Sequence, residues 1–279
     1  MKTKQLTISD FDMSWIERQL EAGESKESLV EPLCQVGWGR ALVHRTLGLP
    51  EIDEPEPVKR PVPAPTLDEG VNTIDVGDRN VDVLLSMAQP HIVLFGNVLS
   101  DYECDRLIEY AKLRGLEPSV VVTSEDNKMV TADYRTSEGV FFESNETELI
   151  GTIERRISKL VNWPVTHCES LHVLHYGLNG EYRTHHDYFT KDRPLYRSVT
   201  EKGGNRIATL IMYLSETPAG GGTEFSDVEM TFHPHKGQAL LFTYGSLDHS
   251  SQTMHAGLPV LKGEKWIMTR WFREGEFSI

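Results

Sequence analysis

Cysteine is scarce in this chain. Three of the 279 residues, Cys34, Cys104 and Cys168, form an odd set without Cys-x-x-Cys spacing, which argues against a disulfide framework or a cysteine-held zinc and suits a reducing compartment. Long apolar runs are missing too. Nothing approaches the roughly 18 consecutive apolar residues of a membrane helix, and the opening Met1 to Thr7 has no apolar core of a secretory signal. The expectation is a cytoplasmic protein with no membrane partner. Positive charge is the third shortage: 28 Lys+Arg stand against 42 Asp+Glu, a formal charge of −14. With no strong basic run, a phosphate backbone would be repelled, so no nucleic-acid partner is expected.

What is present is the composition of a soluble globular protein, 39% hydrophobic and 25% charged, at a length for one or two domains. Six prolines fall between Pro50 and Pro65, a density that removes backbone donors and favours an extended spacer. The chain therefore divides into a small helical unit (1–49), a proline-rich linker (50–70) and a main domain (71–279). In the first unit Ser14-x-x-Glu17 and Ser28-x-x-Glu31 have the form of helix-opening capping boxes, and Trp38, Ala41, Leu42 and Arg45 mark a third helix. Trp15 and Trp38 are its expected core. So few residues make a marginal core, so the unit is expected to dock on the rest of the chain, dimerise or hold a protein partner.

Beyond the linker the pattern is mixed. Ser100-x-x-Glu103 and Asn145-x-x-Glu148 each open an amphipathic helix. Strands are predicted over Leu171 to Tyr176, Ile207 to Leu214, Met230 to His233, Gln238 to Phe242 and Trp266 to Phe272. Helices first and many strands after indicate an α+β domain whose β part is a sandwich or jelly roll.

The chemistry concentrates in Tyr182-Arg-Thr-His-His-Asp-Tyr-Phe189. On a strand His185 and Asp187 point the same way, bringing an imidazole and a carboxylate to one point. Two histidines and one carboxylate with open positions suit non-haem Fe(II) and oxygen, and His255 is the candidate third ligand. His233 and His235 form a second same-face pair that is not expected to bind metal. His172, His175 and His249 read as hydrogen-bonded structural residues.

Five motifs stand in order: Tyr176-Gly177, Tyr182 to Phe189, Gly220-Gly-Gly-Thr223, His255-Ala-Gly-Leu-Pro-Val260 and Gly263-Glu-Lys-Trp266. Over residues 88 to 275 the chain thereby resembles the prolyl 4-hydroxylase family of Fe(II)- and 2-oxoglutarate-dependent dioxygenases. The resemblance implies a double-stranded β-helix (jelly roll) core with supporting helices, and His185, Asp187 and His255 as iron ligands. It implies Lys265 as the cation for the distal carboxylate of 2-oxoglutarate, with Tyr176 and Thr223 as hydrogen-bond donors. Arg270 is a rival anchor, but strand alternation puts it on the opposite face from Lys265. Arg135, Tyr182, Arg206 and Trp271 match positions lining the family's peptide groove.

The implied reaction consumes O2 and 2-oxoglutarate, with ascorbate as reductant, releases succinate and CO2, and hydroxylates an unactivated C–H bond. A carboxylate at Asp187 leaves no place for the halide of related halogenases. The expected substrate is a peptidyl proline. A free amino acid or natural-product intermediate is the alternative, as is a non-catalytic sensor of iron and 2-oxoglutarate. The stretch Phe189 to Asn205 is long enough to form a loop that closes over substrate.

Overall fold

The computed structural model describes residues 10–35, 38, 40–51, 60–67, 70, 72–119, 121–122, 129–130, 134–191 and 195–277. The chain forms two compact units, one of residues 1–60 with 246–251 and the other of 61–245 with 252–279.

The smaller unit holds α1 (Asp10–Glu21), α2 (Lys26–Gln35) and α3 (Arg40–Leu47). Ile16, Leu29, Val30, Leu33, Val43 and Leu47 are buried together, with Trp15 and Trp38 partly buried against them. Trp38 also stacks on His249, ring centroids 5.1 Å apart. Two expected helix starts are displaced. Ser14 lies inside α1, and α2 opens two residues before Ser28, whose N–H donates to Ser25 Oγ at 3.1 Å. A serine three residues before a glutamate also occurs by chance within a helix, where the i, i+3 spacing merely stacks two side chains.

Most of the expected linker, 52–59, lies outside the described residues. From residue 61 the backbone is tied to the larger unit: Ala64 N–H donates to Val161 O at 2.9 Å, and Asn162 Nδ2 donates to Ala64 O at 3.0 Å.

The larger unit runs β1 (Thr73–Asp75), β2 (Asn80–Ala88), β3 (His91–Gly96), α4 (Asp101–Arg114), β4 (Glu117–Pro118), β5 (Val121–Val122), β6 (Met129–Val130), β7 (Glu138–Phe142), α5 (Glu148–Val161), β8 (Leu171–Tyr176), β9 (Tyr182–His185), α6 (Tyr196–Thr200), β10 (Arg206–Tyr213), β11 (Ala219–Gly220), β12 (Thr223–Phe225), β13 (Met230–Phe232), β14 (Ala239–Thr243), β15 (His255–Gly257), β16 (Val260–Lys262) and β17 (Lys265–Arg273). Nine strands make a major sheet in the order β1-β2-β3-β14-β10-β17-β8-β7-β4, and β13-β12-β15-β9 make a minor one. All their pairings are antiparallel.

The Ser100 capping box is present in full at α4, while α5 is capped by Thr147 rather than Asn145, which takes a left-handed φ of 56°. Both helices bury Cys104, Leu107, Ile150, Ile153, Ile157 and Leu160 against one face of the major sheet. Strand β17 is buried on both faces along its whole length. Alternation sends Trp266, Met268 and Phe272 into that helix-covered core, and Lys265, Ile267, Thr269 and Trp271 to the opposite face, where they line a cavity. Arg270 belongs to the helix side, paired with buried Glu154 at 2.9 Å.

The 189–205 stretch is fastened at its end. Asn205 bonds both the N–H and the C=O of Phe189, at 2.9 and 2.7 Å, and Arg273 donates to the carbonyls of Val199 and Gly204. No helix among the described residues is long and apolar enough to cross a membrane.

Candidate active site

His185 ends β9 and His255 begins β15, and the two are register partners in the minor sheet. Asp187 follows two residues after β9. The three contribute ligand atoms that all lie within 4.8 Å of one another, and among the described residues no other group of three or more His, Cys, Asp or Glu does so. His185 Nε2 is 3.4 Å from Asp187 Oδ1, and His255 Nε2 is 3.7 Å from Oδ2.

Both imidazoles are oriented from behind. His185 Nδ1 lies 2.8 Å from Arg183 O and His255 Nδ1 lies 2.9 Å from Thr253 O. A carbonyl can only accept, so each Nδ1 carries the proton and each Nε2 presents its lone pair. Burial, together with the neighbouring His185, pushes His255 down to about 4, so it is neutral at physiological pH. For Asp187, burial favours the neutral acid, yet the adjoining His185 and His255 rings and the nearby Arg206 hold the carboxyl well below its usual range.

Asp187 is engaged through one oxygen. Oδ2 accepts from Thr209 Oγ1 at 2.7 Å, Trp271 Nε1 at 3.1 Å and Tyr244 OH at 3.3 Å. That leaves Oδ1 as its free donor. Two imidazole nitrogens and one carboxylate oxygen on one side of a point are the donor set that suits Fe(II) with open positions. The residues fit that metal.

At the other end of the cavity Lys265 is 3% exposed, and among the described residues no acidic side chain pairs with it. Desolvation alone lowers its ammonium to about 7. A buried cation without a counter-charge is costly, so this end is complementary to a carboxylate. The neighbours fit that ligand. Thr223 Oγ1 accepts from Tyr213 OH at 2.9 Å, which leaves the threonine proton free to donate, and the Tyr176 hydroxyl is held by Ser137. Thr223 and Tyr176 both line the cavity.

The same cavity is lined by His185, Asp187, His255, Arg135, Tyr182 and Trp271. Tyr182 stacks on His185 at 3.6 Å between ring centroids, and the Arg135 guanidinium lies 4.8 Å from the tyrosine ring centre. Arg206 is absent from the lining. It forms a two-pronged pair with Glu169 at 2.6 and 2.8 Å and lies 3.9 Å over the Trp271 ring. Of the other histidines, His175 is bonded on both nitrogens by Glu138 and Glu264 at 2.9 Å. His172 is buried and stacked on Phe141, centroids 3.8 Å apart, with no hydrogen-bond partner at Nδ1.

Thr209 and Tyr244, which bond Asp187, do not emerge from the sequence reading. A single hydroxyl in the otherwise apolar run Ile207-Ala-Thr-Leu-Ile-Met212 is the available signal, because a buried polar atom requires a partner. Tyr244 has no comparable mark.

Comparison with known proteins decides the family. The 2OG-Fe(II) oxygenase superfamily matches residues 171–273. A probable prolyl 4-hydroxylase 3 of Arabidopsis thaliana is 36% identical over 226 residues, covering 73% of this chain and 75% of the plant protein. The chain belongs to the prolyl 4-hydroxylase family. Prolyl 4-hydroxylase subunit alpha-1 of Rattus norvegicus is 37% identical over 210 residues, 71% of this chain but 38% of the rat subunit. The solved viral collagen prolyl hydroxylase of Paramecium Bursaria Chlorella virus-1, in complex with 2OG, shares 29% identity. It superposes with a TM-score of 0.50 over 65% of this chain and 95% of the viral one. This prolyl 4-hydroxylase relative is thus a 2-oxoglutarate-dependent dioxygenase whose cofactors are Fe(II) and 2-oxoglutarate, with the jelly-roll core and the His185, Asp187 and His255 triad in place.

Proposed function

We propose that this dioxygenase hydroxylates a proline residue within a peptide or protein. The observation carrying the proposal is the mouth beside the triad, where Tyr182, next to His185 and the Arg135 guanidinium, and Trp271 line the cavity. A pyrrolidine ring packs favourably on aromatic faces, and a guanidinium donates to backbone carbonyls. The names of the relatives support the same substrate class.

Bound iron and 2-oxoglutarate would supply the oxidising power, with O2 converting the keto acid to succinate and CO2 and delivering an oxygen atom to a C–H bond. The protein's share is placement. His185, Asp187 and His255 would hold the metal from one side, and Lys265 with Thr223 and Tyr176 would fix the far carboxylate of the cosubstrate. Tyr182 and Arg135 set the position of the target ring. Arg206 acts on substrate indirectly, by holding Trp271 under its guanidinium. The N-terminal unit is assigned the capture of the protein target, in the cytoplasm, so its removal should abolish modification of that target while leaving turnover of 2-oxoglutarate alone.

Succinate formation by the Fe(II) protein, with and without proline-containing peptides, tests the substrate class. Peptide-stimulated turnover, a mass increase of one oxygen on proline, and loss of both in Lys265→Ala are expected. Stimulation by free amino acids with none by any peptide would overturn it.

A further inference from the structure

The three donors on Asp187 Oδ2 are not equivalent. Thr209 and Tyr244 bond each other as well as the carboxylate, and their mutual contact is the shortest of the set. Two hydroxyls own two protons. Thr209 Oγ1 lies 2.7 Å from Oδ2 and so gives its proton there. Tyr244 OH is 3.3 Å from Oδ2 and closer to Thr209, so its proton goes chiefly to the threonine oxygen. The result is a chain, Tyr244 to Thr209 to Asp187, in which each bond polarises the next.

The chain is rigid. Tyr244 is fully buried, its ring edge-on to Phe242 and Tyr188 at 5.9 and 5.5 Å, and its N–H donates to Ile207 O at 2.8 Å. That backbone bond fixes it beside β10, on which Thr209 sits. A threonine hydroxyl is otherwise a free rotor; accepting from Tyr244 leaves its proton one direction, toward Oδ2.

We propose that Tyr244 is a positioning residue of the metal centre, acting through Thr209 to fix the rotation of the Asp187 carboxylate and to keep Oδ1 as its single ligand oxygen. With Oδ2 occupied, the aspartate does not rotate to chelate through both oxygens, so it takes one metal position rather than two. The inference rests on the iron-centre assignment and involves no substrate, so it stands or falls separately from the peptidyl-proline proposal.

The test is anaerobic Fe(II) titration, followed by the visible absorption that Fe(II) and 2-oxoglutarate produce together, in wild type, Tyr244→Phe, Thr209→Val and the double variant. Tyr244→Phe should weaken Fe(II) binding about tenfold and shift the band, since partners behind a metal ligand typically contribute that much. Because the tyrosine acts through the threonine, the double variant should bind no more weakly than Thr209→Val. Thr209→Ser, which keeps the relay hydroxyl, should restore wild-type affinity. Replacing Tyr244 with 3-fluorotyrosine keeps ring and hydroxyl but makes a stronger donor, and should move the band opposite to Tyr244→Phe; this arm carries the test if the phenylalanine variant does not fold. Unchanged affinity and spectrum in Tyr244→Phe, additive losses in the double variant, or no band shift with fluorotyrosine would each overturn the proposal.

Discussion

The two ends of the cavity are built on opposite principles. At the metal end each group is satisfied: both imidazoles donate to carbonyls, and one oxygen of Asp187 is held by Thr209 and Trp271, with Tyr244 behind the threonine. At the other end Lys265 is a buried ammonium with no partner carboxylate among the described residues, beside a threonine with a proton to give. The first end is finished before any ligand arrives, whereas the second is completed by its ligand. A preorganised metal face and an incomplete anion site would let one cavity take a metal at one end and a dicarboxylate cosubstrate at the other.

The sharpest way to break this comparison is Lys265→Ala. Removing one partner of a buried ion pair costs about 3–5 kcal/mol, so 2-oxoglutarate affinity, read by calorimetry, should fall roughly 10²–10³-fold. At the metal end the same substitution should leave Fe(II) affinity unchanged. Lys265→Met should raise the melting temperature of the ligand-free protein, because an unpaired buried charge is replaced by an apolar chain. A lower melting temperature would mean the ammonium is already satisfied.

Acidity offers the next test. With Lys265 lowered to about 7 from 10.5, the folded ligand-free protein binds fewer protons than the unfolded chain between those values. Its contribution to stability is therefore complete above the unfolded value and is lost as pH falls through about 7, so stability of the ligand-free protein should rise with pH across that window. Binding 2-oxoglutarate restores the charge. Above pH 7 binding should take up a proton and weaken by up to about tenfold per pH unit; calorimetry in buffers of different ionisation enthalpy measures the uptake. Pair-free binding with no proton uptake at pH 8.5 would contradict the orphan-cation picture.

Smaller effects sharpen the metal end. Trp271→Phe removes one donor from Oδ2 and should weaken Fe(II) binding about tenfold while leaving 2-oxoglutarate affinity alone. Asn205→Ala removes both bonds to Phe189 and should lower stability by about 1–2 kcal/mol, measured by denaturant unfolding.

The two ends also differ in how they could be foreseen. Strand β8 falls on its predicted residues, Leu171 to Tyr176, and β17 extends the prediction by one residue at each end, because both are short apolar runs between turns. Alternation along β17 separates Lys265 from Arg270, and the structure sends Arg270 to Glu154. The metal ligands are legible for a similar reason: His185 and Asp187 are two apart, and the ordered motifs supply His255. The support behind them is not, because Thr209, Tyr244 and Glu169 reach the site from separate segments whose register no local pattern encodes. Cap boundaries fail more modestly. Asn145-x-x-Glu148 predicts the right helix, but Thr147 beside it has the hydroxyl that reaches Ile150 N–H, at 3.2 Å.

The pairing of His185 with His255 across β9 and β15 carries one more consequence. Strand β9 is four residues long and last in the minor sheet, with an isolated bridge between Arg135 and Tyr182 on its far side. A metal held by both histidines is a rung of the ladder made of coordination bonds, far stronger than the hydrogen bonds it sits among. The outer side of β9 is also occupied, by Arg183 N–H to Tyr134 O at 2.8 Å and Thr136 N–H to Glu181 O at 3.0 Å, so a metal there would lock together three chain segments, and amide exchange along β9 and β15 should slow when Fe(II) is added.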